Sequence, residues 1–165
     1  MSKEKREKNN IIISRVINVV VCIVFIILLL NLMTSRSDKL FELIGFRSYT
    51  VLSGSMEPEF YPGDMVIIQN KNKANIGLND IVTYRDGSGV IITHRIIEKT
   101  SDGYITKGDN NNVQDDYIVS LNNIIGKVKF SIPKLGYLVN FLSKPIFIAF
   151  EMFLLAGVVL FFNRD

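Results

Sequence analysis

A single cysteine, Cys22, and a single histidine, His94, leave little room for disulfide or metal chemistry. One thiol cannot close a bridge within the chain, which excludes a disulfide-stapled scaffold and a multi-cysteine zinc site. One imidazole likewise excludes a histidine-rich metal centre. Charge of one sign is also scarce: 21% of residues are charged and the net charge is only +3. Between Thr34 and Lys144 the thirteen basic side chains are interspersed with twelve acidic ones. A phosphate backbone needs clustered lysine and arginine, so no nucleic acid is expected as a partner. At 165 residues there is room for about one domain, which excludes a large multidomain enzyme.

Apolar residues, by contrast, make up 48% of the chain, and the mean hydropathy is +0.26. That is high for a water-soluble protein and excludes a disordered one. They concentrate at the two ends. The run from Ile11 to Leu32 is interrupted only by Ser14, Arg15, Asn18 and Asn31. About 20 apolar residues at 1.5 Å each cross a hydrocarbon core of roughly 30 Å, so residues 11–33 are expected to be a transmembrane helix. A signal peptide has a shorter apolar region and a small-residue cleavage site, and neither is present here, so an uncleaved anchor is expected. Residues 1–10 carry Lys3, Lys5, Arg6 and Lys8 against Glu4 and Glu7, which places this basic tail in the cytoplasm. A second span is expected over residues 145–162, where Glu151 is the only charge, followed by a cytoplasmic tail at 163–165. The expected location is the plasma membrane, with the domain between the spans extracytoplasmic.

Residues 34–144 change from continuous to alternating hydrophobicity. Met65–Gln69, Ile81–Tyr84, Val90–Ile97, Tyr104–Lys107 and Ile124–Phe130 are short, β-branched and separated by turn residues such as Pro62-Gly63-Asp64 and Asp102-Gly103. The expected fold is a mainly β catalytic domain carrying one N-terminal and one C-terminal transmembrane helix.

Three segments of this domain carry candidate chemistry. In Val51–Pro62, VLSGSMEPEFYP, two serines flank Gly54, and glycine suits an exposed serine on a turn. His94 lies in the strand Val90–Ile97, sharing a face with Ile92 and Ile96, and a neutral imidazole is the commonest general base. Residues 106–116, TKGDNNNVQDD, offer Asp109, Asp115 and Asp116. The consecutive asparagines and the lack of a closing glutamate do not fit a calcium loop. A carboxylate that fixes a histidine tautomer joins all three segments into a serine–histidine–aspartate set, with Asp109 and Asp115 both open as its acidic member.

With these residues in order, the chain resembles a type I signal peptidase of the endoplasmic-reticulum branch, called W-type in endospore-forming bacteria. The resemblance rests on VLSGSMEPEFYPGD (Val51–Asp64), NDIVTY (Asn79–Tyr84), THRII (Thr93–Ile97) and TKGDNNNVQDD (Thr106–Asp116), together with the N-terminal anchor. It implies the signal-peptidase-like β fold and a serine endopeptidase that removes signal peptides after small-x-small sites. It makes Ser55 the nucleophile, with Ser53 and the Ser55 amide at the oxyanion. His94 stands where the ordinary bacterial branch has a lysine base. Counting from the Gly-Asp-Asn motif puts the acidic member on Asp115, one residue from Asp116, with Asp109 also functional. No cofactor or metal is implied. The partners are exported preproteins and the lipid bilayer, with accessory subunits left open. The competing readings are a non-catalytic, membrane-anchored binding module and a serine–lysine self-cleaving regulator. The latter is opposed by His94 and by the two apolar ends.

Overall fold

A computed structural model describes residues 38–147 continuously, and residues 15, 16, 19, 22, 25, 26, 149, 150 and 153 singly. The expected spans, 11–33 and 145–162, lie for the most part outside the described residues. Among the described residues, no helix is long and apolar enough to cross a membrane. The chain divides into two compact units, Met33–Leu138 and a second made of Met1–Leu32 with Val139–Asp165. Every residue of the candidate site belongs to the first.

That unit begins with helix α1 (Asp38–Ile44) and strand β1 (Phe46–Thr50). The sheet continues with β2 (Met65–Asn70), β3 (Ile81–Arg85), β4 (Ile91–Lys99), β5 (Tyr104–Lys107) and β6 (Ile124–Ile132), and helix α2 (Leu135–Leu142) follows. The six strands form one antiparallel sheet in the order β1-β2-β6-β3-β4-β5. The mainly β expectation therefore holds for the described domain. β-Branched and aromatic residues dominate these strands because they pack well on a pleated, half-buried surface. The apolar residues between Leu40 and Leu52 belong to the end of α1, to β1 and to the start of the next loop. Gly45, at φ 85°, donates its N–H to the Phe41 carbonyl and ends α1, and β1 starts at the next residue.

Alternation along β3 serves two apolar clusters. Val82 and Tyr84 join Ile96, Tyr104, Val119 and Ile124 in the first. Ile81 packs on the second, formed by Met56, Phe60 and Val66. The first cluster underlies the histidine strand, and the second anchors the turn that carries Ser55. Ile68 on β2 is fully buried. Ile68→Ala is expected to destabilise the chain by about 2–5 kcal/mol, combining lost burial with a residual cavity. Denaturant unfolding of the full chain beside the variant measures this, and a loss below ~1 kcal/mol would show that the site collapses to fill the space.

Candidate active site

Ser55 sits on a turn held at both ends. Val51 N–H donates to the Asp64 carbonyl at 2.9 Å, and Gly63 N–H donates back to the Val51 carbonyl at 2.8 Å. The buried Asp64 carboxylate accepts from the Tyr61 and Lys134 amides at 2.9 and 3.0 Å. Inside the loop, Met56 and Phe60 plunge into the second apolar cluster, so the residue beside Met56 has a fixed place. A second loop presses on the turn from the other side. Asn110 donates its backbone N–H to the Ser55 carbonyl at 2.9 Å and its side-chain amide to the Gly54 carbonyl at 3.2 Å.

His94 comes from the middle of β4, opposite Val82 of β3, and is only 7% exposed. Its two ring nitrogens have different partners. Nε2 lies 3.2 Å from Ser55 Oγ, and Nδ1 lies 2.7 Å from Asp115 Oδ2. An ionised carboxylate can only accept, so the Asp115 contact places the neutral ring's proton on Nδ1. That leaves the Nε2 lone pair facing the serine hydroxyl, the tautomer a general base requires. Ser53 Oγ is 3.3 Å from Ser55 Oγ, so a second hydroxyl stands beside the first.

Asp115 is fixed in turn. Its backbone N–H donates to the Thr106 carbonyl at 2.9 Å. Its Oδ2 also accepts from the Thr106 hydroxyl at 2.6 Å and the Tyr84 hydroxyl at 2.9 Å. Asp116, one residue on, is exposed. Asp109 engages a different partner: Arg95 grips it with Nε to Oδ1 at 2.9 Å and a terminal nitrogen to Oδ2 at 2.7 Å. The Asp109 bond holds the Arg95 guanidinium still further above its ordinary range, so the arginine of this two-point contact stays charged. Arg95 also reaches the Asn79 carbonyl at 3.1 Å and Glu59 at 3.5 Å. Asp109 thus fastens the loop of Asn110 to β4, and the carboxylate in contact with His94 is that of Asp115.

Serine and histidine line a cleft of about 640 Å³ whose walls are apolar: Val51, Leu52 and Met56 on one side, Val90 and Ile92 on the other. Hydroxyl, imidazole and carboxylate in file beside such a cleft form an arrangement able to attack a bound carbonyl. Of the residues singled out from sequence, Ser53, Ser55, His94 and Asp115 come together, and Asp109 stands apart on Arg95. Tyr84 and Thr106 were not anticipated. The only sequence signal for them is that a hydroxyl on a core-facing strand position must find a partner.

No family model matches the chain. Curated proteins do. It is 39% identical over 129 residues to a signal peptidase complex catalytic subunit of Neurospora crassa, covering 70% of this chain and 74% of that one. It is 33% identical over 129 residues to the corresponding subunit of Candida tropicalis, covering 70% and 76%. A Metarhizium acridum subunit of the same name is 34% identical over 129 residues, covering 70% and 74%. The chain belongs to the endoplasmic-reticulum branch of the signal peptidases.

It is therefore a peptidase. Membership in this branch overturns the expected plasma-membrane location, because the relatives are subunits of the eukaryotic signal peptidase complex of the endoplasmic-reticulum membrane. The physical reason for the error is plain. A basic tail before an apolar run tells which side of a bilayer the tail occupies, and that bias is the same whichever membrane receives the chain.

Proposed function

We propose that the chain is a membrane-anchored serine endopeptidase that removes signal peptides from preproteins, with Ser55, His94 and Asp115 as its catalytic residues. The observation that carries this reading is the unbroken file from Ser55 Oγ through both nitrogens of His94 to Asp115 Oδ2, at 3.2 and 2.7 Å. Ser55 Oγ attacks the scissile carbonyl while Nε2 takes its proton. The imidazolium that results is stabilised by Asp115 and passes the proton to the departing amine. Water then attacks the acyl-serine, giving a proton to Nε2, and that proton passes to Ser55 Oγ as its bond to the acyl group breaks and the signal peptide leaves as a carboxylate. The developing oxyanion is held by the Ser55 N–H and the Ser53 hydroxyl, each worth about 10²–10³ in rate where such donors have been removed.

The cleft beside Ser55 is lined by valine, isoleucine and leucine, which supports apolar substrate side chains there, and the family resemblance supports cleavage after small-x-small sequences. The apolar runs at 11–33 and 145–162 support anchoring by two spans, with residues 34–144 as the peptidase domain between them. Exposed Leu43, Phe46 and Leu52 would add a contact with the bilayer surface. The relatives' names support work within a multi-subunit complex.

The acidic residues provide the test. In cleavage of a labelled preprotein by the full chain, Asp115→Asn is expected to lower kcat by about 10⁴-fold, since an amide can stabilise the wrong tautomer. Asp109→Asn is expected to cost only about 10-fold, since it loosens a loop without touching the histidine. The reverse ranking would move the orienting role from Asp115 to Asp109.

A further inference from the structure

Asp115 lies on the loop after β5, not on a strand, yet its Oδ2 accepts from three side chains: His94 Nδ1 at 2.7 Å, Thr106 Oγ1 at 2.6 Å and the Tyr84 hydroxyl at 2.9 Å. Tyr84 and Thr106 are both fully buried on core-facing strand positions. Phenylalanine and valine would fill the same volumes there without a polar atom to satisfy. Each hydroxyl has one proton. With the carboxylate accepting from both, their mutual 3.1 Å contact brings together two oxygens whose protons point at one acceptor. Burial pushes the Tyr84 phenol well above its ordinary range, so it remains a donor at any working pH.

The strand order gives this arrangement a purpose. β4, which bears the histidine, lies between β3 and β5. Tyr84 reaches Asp115 from β3, and Thr106 reaches it from β5, so the carboxylate is gripped from both strands that flank the imidazole. Thr106 grips it twice, through its hydroxyl and through the carbonyl that accepts the Asp115 N–H at 2.9 Å.

We infer that Tyr84 and Thr106 form a two-hydroxyl clamp that holds the Asp115 carboxylate in line with His94 Nδ1. The inference rests on Asp115 being the orienting carboxylate of the mechanism above. Both are positioning residues: they act on the reaction only through Asp115. A loop carboxylate without them would turn away and leave the imidazole free to flip or change tautomer, a fault in proton transfer and not in peptide binding.

The test uses the full chain and a labelled preprotein, with Tyr84→Phe, Thr106→Val and Thr106→Ser made in both the wild-type and the Asp115→Ala backgrounds. Tyr84→Phe and Thr106→Val are each expected to lower kcat about 10-fold, the scale of one hydrogen bond to a charged group, with KM within about twofold. Thr106→Ser should recover most of the loss, because it restores the hydroxyl. In the Asp115→Ala background, each substitution should change kcat by less than about twofold, because its target is gone. Tyr84→Phe keeps the ring and preserves the test if Thr106→Val fails to fold. Wild-type kcat in both single variants, beside an inactive Asp115→Ala, would overturn the clamp and leave the mechanism standing. Losses that persist undiminished in the Asp115→Ala background would also overturn it, showing that the hydroxyls serve packing alone. Full activity of Asp115→Ala itself would instead remove the reading on which the clamp rests.

Discussion

Ser55→Ala is expected to reduce cleavage of a labelled preprotein by about 10⁴–10⁶-fold, with His94→Ala costing about as much and the double variant no worse than either. The reason is that the two groups act as one unit. A serine hydroxyl near its free pKa is a weak nucleophile, and in the proposed mechanism the 3.2 Å contact with Nε2 activates it. An imidazole without the hydroxyl has nothing to deprotonate but water. The chain holds no second histidine, so no neighbouring imidazole can take over. Both substitutions remove atoms at the edge of a cleft and leave the apolar clusters intact, so substrate binding and thermal unfolding should stay near wild type. Time courses with purified variants, alongside peptide binding and thermal melts, measure all three properties. Cleavage at the full rate by His94→Ala would remove the imidazole from the mechanism.

Gly108→Ala should do comparable damage from outside the catalytic set, lowering kcat by about 10²-fold. Gly108 is buried against the nucleophile turn, and a Cβ there would lie 2.6 Å from the Ser55 carbonyl oxygen. Carbon does not approach a backbone oxygen that closely, so one loop must yield. The same Ser55 carbonyl accepts from Asn110, and Asn110 also holds Gly54, so yielding breaks the contacts that set the nucleophile's height above His94. A displacement of about 1 Å at a reacting atom costs on the order of 10²-fold. Measured kcat should fall while the melting curve moves only slightly, since the affected contacts lie at the site and not in either apolar cluster. An unchanged kcat would show that the loop and turn can separate without disturbing Ser55.

Much of this was legible in the sequence, for identifiable reasons. Period-two alternation marked five of the six strands, with ends that agree with the structure to within a few residues. The same alternation put His94 on the face of Ile92 and Ile96, and the buried positions of β4 agree. Leu40–Leu52 was opaque because a short helix and a strand follow one another there, leaving neither period long enough to register. Gly45 was the available clue, a helix-ending glycine between two apolar runs. Within the site, the resemblance to the family led to Ser55 and to the choice of Asp115 over Asp116. Asp109 entered the candidate set through the resemblance, and spacing cannot distinguish a carboxylate facing a histidine from one facing an arginine. Alternation puts Arg95 and His94 on opposite faces of β4, and Asp109 went to the former. Tyr84 and Thr106 read as ordinary core positions. That their hydroxyls meet at one carboxylate depends on strands 22 residues apart in sequence being brought together across β4.

The position of β6 in the sheet governs when the enzyme can first act. β1 and β2 form one wing, β3, β4 and β5 the other, and β6 is the joint between them, hydrogen-bonded to β2 on one side and β3 on the other. The wing beside β2 leads directly from the nucleophile turn, whereas the base and its carboxylate belong to the opposite wing. Translation makes β6 last of the six strands, at about 5–20 residues per second, so several seconds separate synthesis of Ser55 from that of the strand that joins the wings. The sheet is therefore incomplete until the last strand is made, after residues 11–33 and before residues 145–162.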